Sequence, residues 1–147
     1  MKKLIRFIIA GLCLGLCGLR AEKPVNTTWT GVAIKGYDPV AYFTQAKPLE
    51  GSDQFEFSWN GATWRFASAA NRDLFAGAPE KYAPQFGGYC AWAVSRGYTA
   101  GIDPAAWKIV GDRLYLNYSV KVQKQWEEDV PGNIVKAQQN WSELLKK

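Results

Sequence analysis

Between Phe55 and Phe66 the chain alternates aromatic and polar positions: Phe55, Phe57 and Trp59 flank Glu56 and Ser58, and the alternation resumes at Trp64 and Phe66. A period of two puts the aromatics on one face of an extended strand, and Asn60-Gly61 supplies the two left-handed residues of a type I′ turn. The pattern predicts a β-hairpin with one aromatic face. A second hairpin is predicted from Trp107 to Tyr118 around Gly111-Asp112, with Leu114 and Leu116 opposite in face to Tyr115. After Ser68, a predicted N-cap, Ala70, Leu74 and Phe75 fall at helical spacing as far as Gly77-Ala78-Pro79. Asp38-Pro39 reads as N-cap and first position of a short helix, and Asp103-Pro104 repeats that capping grammar. Val32 to Ile34 is expected as an opening strand behind the polar lead-in Asn26 to Thr30. The tail from Ser119 is expected to be helical and interrupted at Pro131-Gly132. Its apolar stripe, through Val120, Val122, Trp126, Ile134, Val135, Gln138, Trp141 and Leu145, would pack on the hairpins. These elements define an α+β class: one small domain with two antiparallel hairpins and packed helices.

The first 21 residues follow a different pattern. Lys2, Lys3 and Arg6 precede an apolar run from Phe7 to Leu19, and the chain turns polar at Arg20, Glu22 and Lys23. The run falls short of the roughly 20 residues a bilayer span needs and has the outline of a secretory signal peptide. Residues 1–21 are therefore expected to be removed, leaving 22–147 as a single domain, periplasmic or secreted, with no stable membrane insertion. A lipid anchor on Cys17 ranks second, because Leu16 stands where a small residue is required. Four of the 18 basic residues and none of the 13 acidic ones lie in this leader, so the remainder carries 14 basic against 13 acidic residues. No basic stripe remains for nucleic acid.

Cys13 and Cys17 lie in the leader, so Cys90 has no partner for an intramolecular disulfide. The chain has no histidine and no methionine beyond Met1, which removes imidazole catalysis and both imidazole and thioether ligation. Candidate chemistry concentrates in Lys81 to Gly97. Gly87 and Gly88 free the backbone there, and the run Tyr89-Cys90-Ala91-Trp92-Ala93-Val94 follows them directly. A helix opening at that run would hold Cys90 in its first turn, where unpaired N–H groups favour a thiolate. A cysteine among aromatics and alanines also fits an inert, buried small hydrophobe. The sequence contains no Gly-rich phosphate loop, metalloprotease pair or nucleophile elbow.

Asp38-Pro39-Val40, the hairpin end Ala62-Thr63-Trp64-Arg65-Phe66, Ala67-Ser68, Phe75 and Pro79-Glu80-Lys81-Tyr82 together resemble a YHS domain over roughly Gly36 to Tyr82. The longer pattern through Gly87-Gly88-Tyr89-Cys90-Ala91 and Leu114-Tyr115-Leu116-Asn117-Tyr118 is similar to exported bacterial YHS-domain proteins. The resemblance implies a YHS-like domain with a C-terminal helical extension. It also implies metal binding by cysteines at three positions, which here are Ala41, Ala67 and Asn71. Two methyl groups and a neutral amide give a soft metal nothing to bind, so that site is expected to be empty.

Cys90 remains, with Tyr89, Gly87, Gly88, Tyr37, Asp38 and Arg96 as candidate ligand-binding neighbours. The leading expectation is an exported binding module that holds a soft metal ion such as copper(I), or a small thiol-reactive ligand, through Cys90. A homodimer sharing the site is allowed, since one cysteine falls short of the roughly four donors of a closed zinc centre. The alternatives are a thiol oxidoreductase using Cys90 with an external thiol to close its cycle, and a packing or interaction domain with an inert cysteine.

Overall fold

The computed structural model describes residues 20–147, so the predicted signal peptide lies almost entirely outside the described residues. The helices and strands run α1 (Pro39–Thr44), β1 (Ser52–Trp59), β2 (Ala62–Phe66), α2 (Ala69–Gly77), α3 (Pro79–Tyr82), α4 (Ala91–Ser95), β3 (Asp103–Val110), β4 (Arg113–Asn117), α5 (Val120–Glu127) and α6 (Val130–Leu144). Strands β1 and β2 form one antiparallel hairpin and β3 and β4 another, which establishes the α+β class. Both turns are built as their residue types require: Asn60 and Gly61, then Gly111 and Asp112, all take positive φ.

The aromatic face of the first hairpin is real and closes over Phe75 of α2. The Phe75 ring lies with its centroid 5.1 Å from those of Trp64 and Phe66, and 5.8 Å and 6.2 Å from those of Trp59 and Phe57. With Ile34, Val40, Tyr42, Leu114 and Leu116 these rings form the first of two cores. The second gathers Phe86, Ala91, Val94, Tyr115, Trp126, Ala137 and Leu144. Alternation along β4 separates the two, because Leu114 and Leu116 enter the first core and Tyr115 enters the second. Both faces of this strand are thus buried, and α4 spans the same boundary, giving Ala93, with Cys90 just before the helix, to the first core and Ala91 and Val94 to the second.

Several expectations from the sequence give way to tertiary demands. Val32 to Ile34 is not a strand: Val32 makes an isolated bridge to Thr63, and Ile34–Gly36 is a 3-10 turn. On α2 the buried residues are Asn71 and Phe75, while Leu74 is 44% exposed. The second Asp-Pro opens a strand instead of a helix. Asp103 Oδ1 accepts only the Ala105 N–H, and the backbone of Asp103 pairs with Asn117 across the hairpin. Pro131 and Gly132 lie in the first turn of α6 under the Asp129 cap, so the break between the last two helices falls before them. The stripe of α6 that faces inward is Asn133, Ala137 and Leu144 with Ile134 and Trp141, whereas Val135, Gln138 and Leu145, and Val120 at the start of α5, are exposed.

Tyr42 links the two hairpin halves: its hydroxyl donates to the Pro104 carbonyl at 2.7 Å, and its ring lies 5.2 Å from that of Trp107. Burial, then the Tyr37 phenol and the Asp103 and Asp38 carboxylates, push the Tyr42 phenol well above the ordinary tyrosine range. Above the unperturbed value of about 10 the unfolded chain loses this proton while the folded chain keeps it, so stability must fall as pH rises from there. Denaturant titrations between pH 8 and pH 11 are expected to show that decline. Tyr42→Phe should flatten it while costing about 1 kcal/mol at neutral pH for the lost hydrogen bond.

Candidate functional site

Two of the predicted site residues, Asp38 and Cys90, occupy the centres of separate polar arrangements. Asp38 is fully buried at the N-terminus of α1, where Pro39 fixes the first helical turn. Its Oδ1 accepts the N–H groups of Val40 and Ala41 at 2.8 Å and 3.2 Å. Its Oδ2 accepts the Ala67 N–H at 2.9 Å and the Asn71 side-chain amide at 2.8 Å. Ala41, Ala67 and Asn71 are thereby gathered around one carboxylate from α1, the end of β2 and α2. A buried carboxylate is tolerated because these four donors replace its water. Tyr37, next in sequence, pairs its backbone with Glu50 and takes no part in that cluster of hydrogen bonds.

Cys90 sits immediately before α4 as its N-cap and is 1% exposed. This corrects the expectation of a thiol inside a first helical turn, and with only five residues α4 offers little dipole to act on it. The sulfur is held by side chain and backbone from the far end of β4. The thiol donates toward Asn117 Oδ1 at 3.6 Å, and Sγ accepts the Tyr118 N–H at 3.3 Å. Asn117 Oδ1 also accepts the Trp92 N–H at 3.1 Å, which fixes the orientation of the amide. The other end of that fully buried amide, Nδ2, has no hydrogen-bond partner.

On its open side Cys90 lines a cleft of about 270 Å³, walled by Trp92, Ala93, Tyr98, Ala100, Tyr118 and Val122. The walls are uncharged and mostly apolar, while Tyr98 and Tyr118 are 52% and 61% exposed and form part of its mouth. Arg96 caps the end of α4 and stacks its guanidinium 4.0 Å from the centre of the Trp92 ring, so it braces a wall of the cleft without lining it.

The remaining candidates face elsewhere. Gly87 and Gly88 have positive φ, and a Cβ on either would collide, at Gly87 with the Pro24 carbonyl and at Gly88 with the Ile34 side chain. The N-terminal segment crosses over them, with the Asn26 N–H bonded to the Gly87 carbonyl and the Asn26 amide to the Gly88 carbonyl. They allow close backbone approach within the chain and lie apart from the Cys90 cleft. Tyr89 points the same way, its hydroxyl 3.5 Å from the Val25 carbonyl and its ring 5.8 Å from Trp141, and burial followed by the Glu22 carboxylate pushes its phenol up. Sequence reasoning missed Asn117, Trp92, Tyr98 and Tyr118. The one available signal was Asn117 itself, an amide inside the otherwise apolar run Leu114-Tyr115-Leu116-Asn117-Tyr118.

The donor set around Cys90 is one sulfur and one amide oxygen, and no group of three or more Cys, Asp or Glu side chains capable of holding a metal occurs among the described residues. Those residues do not fit a copper(I) or zinc centre, and a sulfur that is 1% exposed cannot meet its counterpart from a second copy without local opening. The chain matches no protein-family model, and comparison with curated proteins and with solved structures returns no match.

Asp38→Ala leaves three backbone N–H groups and the Asn71 amide without their acceptor. It is expected to destabilise the fold by about 3–5 kcal/mol, read as a lower urea midpoint at unchanged m-value. Asn71→Ala, which removes only one of the four donors, should cost about 1–2 kcal/mol.

Proposed function

We propose that the chain is an exported binding module whose Cys90 cleft takes a small, uncharged, thiol-reactive ligand. The observation that carries this reading is the placement of a thiol, oriented by Asn117 and the Tyr118 N–H, on the wall of an uncharged aromatic cleft that has its own mouth. Apolar walls favour a neutral molecule, and a few fixed polar groups set its orientation. Tyr98 and Tyr118, which line the cleft and are exposed at its mouth, carry phenol groups suited to donate to a ligand carbonyl. An electron-poor alkene conjugated to a carbonyl matches both features. Sulfur bonds the β carbon as the S–H bond and the π bond of the alkene break, and the thiol proton ends on the α carbon, with no oxidant or reductant consumed.

The YHS-like reading of the scaffold is supported by the meeting of Ala41, Ala67 and Asn71 at Asp38, three positions that are distant in sequence and at which the resemblance places metal-binding cysteines. Export rests on the leader pattern of residues 1–21. The oxidoreductase reading is weaker, because a resolving thiol would have to reach a sulfur enclosed on all sides but one.

Alkylation of the folded protein separates the ligand-binding reading from an inert core cysteine. N-methylmaleimide, small and neutral, is expected to modify Cys90 at neutral pH without unfolding, and anionic iodoacetate to lag far behind its rate with free cysteine. Val122→Trp, which fills the cleft, should slow the maleimide by about tenfold or more without lowering the melting temperature. Modification that tracks global unfolding for both reagents, with Cys90→Ser strongly destabilised, would leave only the packing-domain reading.

A further inference from the structure

Away from Cys90, the segment before α1 presents a second surface that the thiol reading does not use. Thr28 to Gly31 is a closed β-turn: the Gly31 N–H bonds the Thr28 carbonyl at 2.9 Å, Thr28 N–H bonds the Val32 carbonyl at 2.8 Å, and Thr28 Oγ1 accepts the Val32 N–H at 3.2 Å. Gly31, with φ of +87°, holds the fourth position, where that turn accepts glycine best. The turn is fastened to the first hairpin through the Thr63 N–H on the Gly31 carbonyl and the Ala33 N–H on the Thr63 carbonyl, both 2.9 Å. At its tip Trp29 is 97% exposed, the most exposed of the large apolar side chains. A rigid turn that holds an indole clear of every neighbour is an unexpected use of the residue with the most apolar surface to bury.

The ground beside that indole is nearly uncharged and mixes apolar surface with hydroxyl and amide groups. A cleft of about 210 Å³ runs from Trp29 past Thr27 and Thr28 to the Asn60-Gly61 turn, and a second of about 360 Å³ continues from that turn along Ser58 to Trp59. Lys23 is the only charged residue lining either cleft. No side-chain hydrogen bond among the described residues engages Thr27, Ser58 or Asn60, so their donors and acceptors are free.

We propose that this pair of clefts binds a neutral saccharide chain, with Trp29 as the stacking platform and Asn60 and Thr27 as partners for ring hydroxyls. A pyranose presents a face of C–H groups, polarised positive, that packs on the electron-rich face of an indole. Its hydroxyls each need a donor and an acceptor, which a carboxamide and a threonine hydroxyl supply. The two clefts share the Asn60-Gly61 turn, so successive sugar units have continuous ground to follow. Because hydrogen bonds already fix the backbone of the turn, only the Trp29 side chain at its tip has to be ordered on binding. A lipid surface would call for several basic or large apolar side chains exposed around the tryptophan; beside Thr27, Thr28 and Asn60 the cleft offers one basic residue, Lys23, and its apolar side chains are Pro24 and the buried Val25.

The test is titration of the ¹⁵N-labelled protein with β-1,4-linked tetrasaccharides of glucose and of N-acetylglucosamine, followed through the Trp29 indole N–H and the Asn60 side-chain amide. Saturable shifts at both groups are expected with at least one sugar, weakened about tenfold or more by Trp29→Ala and largely restored by Trp29→Tyr. Trp29 has no contacts to lose, so the alanine variant should keep the parent melting temperature. Absence of saturable shifts with both sugars, binding undiminished in Trp29→Ala, or a Trp29 response to phosphatidylglycerol vesicles in place of the sugars would each overturn the proposal. Alkylation of Cys90 should be unaffected by saccharide, since the clefts share no lining residue with the Cys90 cleft.

Discussion

The Asp38 carboxylate is the point at which three parts of this chain are tied together. Its two oxygens take donors from α1, from Ala67 directly after β2 and from the first turn of α2, so the first hairpin, the helix before it and the helix after it share a single acceptor. Charge-assisted hydrogen bonds of this kind are roughly twice as strong as neutral ones, and each is worth more where water is excluded. The arrangement also governs which way α2 turns. Asn71 faces inward because its amide completes the carboxylate's set, which rotates Leu74 into solvent and presents Phe75 to the aromatic face of the hairpin. A polar contact thus sets the orientation of a helix whose apolar residues alone predict a different face.

From that fixed half the second hairpin is positioned by Tyr42, whose hydroxyl reaches the Pro104 carbonyl and whose ring meets Trp107. Strand β4 then passes between two cores, and its last residue, Asn117, ends where α4 begins. The thiol of Cys90 owes its orientation to this junction. A strand buried on both faces leaves no solvent side on which Asn117 could find water, so the amide must bond to the start of α4, and the sulfur lies in the path of that bond. The cleft beside it exists because α4 is short and the chain leaves it through Tyr98 and Ala100, leaving the space between Trp92, Tyr118 and Val122 unfilled.

What could be read from the sequence was what local chemistry decides. Asn60-Gly61 and Gly111-Asp112 specify their own turns, alternation places Trp64 and Phe66 inward, and Ser68, Ser119 and Asp38 cap the helices that follow them. Partners distant in sequence decided the rest. Asp103-Pro104 carries the same capping signal as Asp38-Pro39 yet becomes a strand, since Asn117 offers it a pairing partner and no helix follows to be capped. Gly87 and Gly88 do mark a special backbone, but its purpose is to let Pro24 to Asn26 cross, a contact spanning about sixty residues. Cys90 was identifiable as the one cysteine beyond the apolar N-terminal run that holds Cys13 and Cys17. Its hydrogen-bond partners, 27 and 28 residues away, were not. Trp29, within a stretch that reads as a polar lead-in, stands out only once its exposure is known.

Native-state hydrogen exchange at the amides of Val40, Ala41 and Ala67 tests most directly whether the buried carboxylate organises the fold. If Asp38 holds α1, β2 and α2 as one cooperative unit, these three amides exchange only through global unfolding, with free energies of opening equal to one another and to the value from denaturant melts. Exchange of the Ala67 amide through a local opening well below the global free energy, while the amides across the β1–β2 ladder stay protected, would show that the hairpin stands without the carboxylate and would contradict the account.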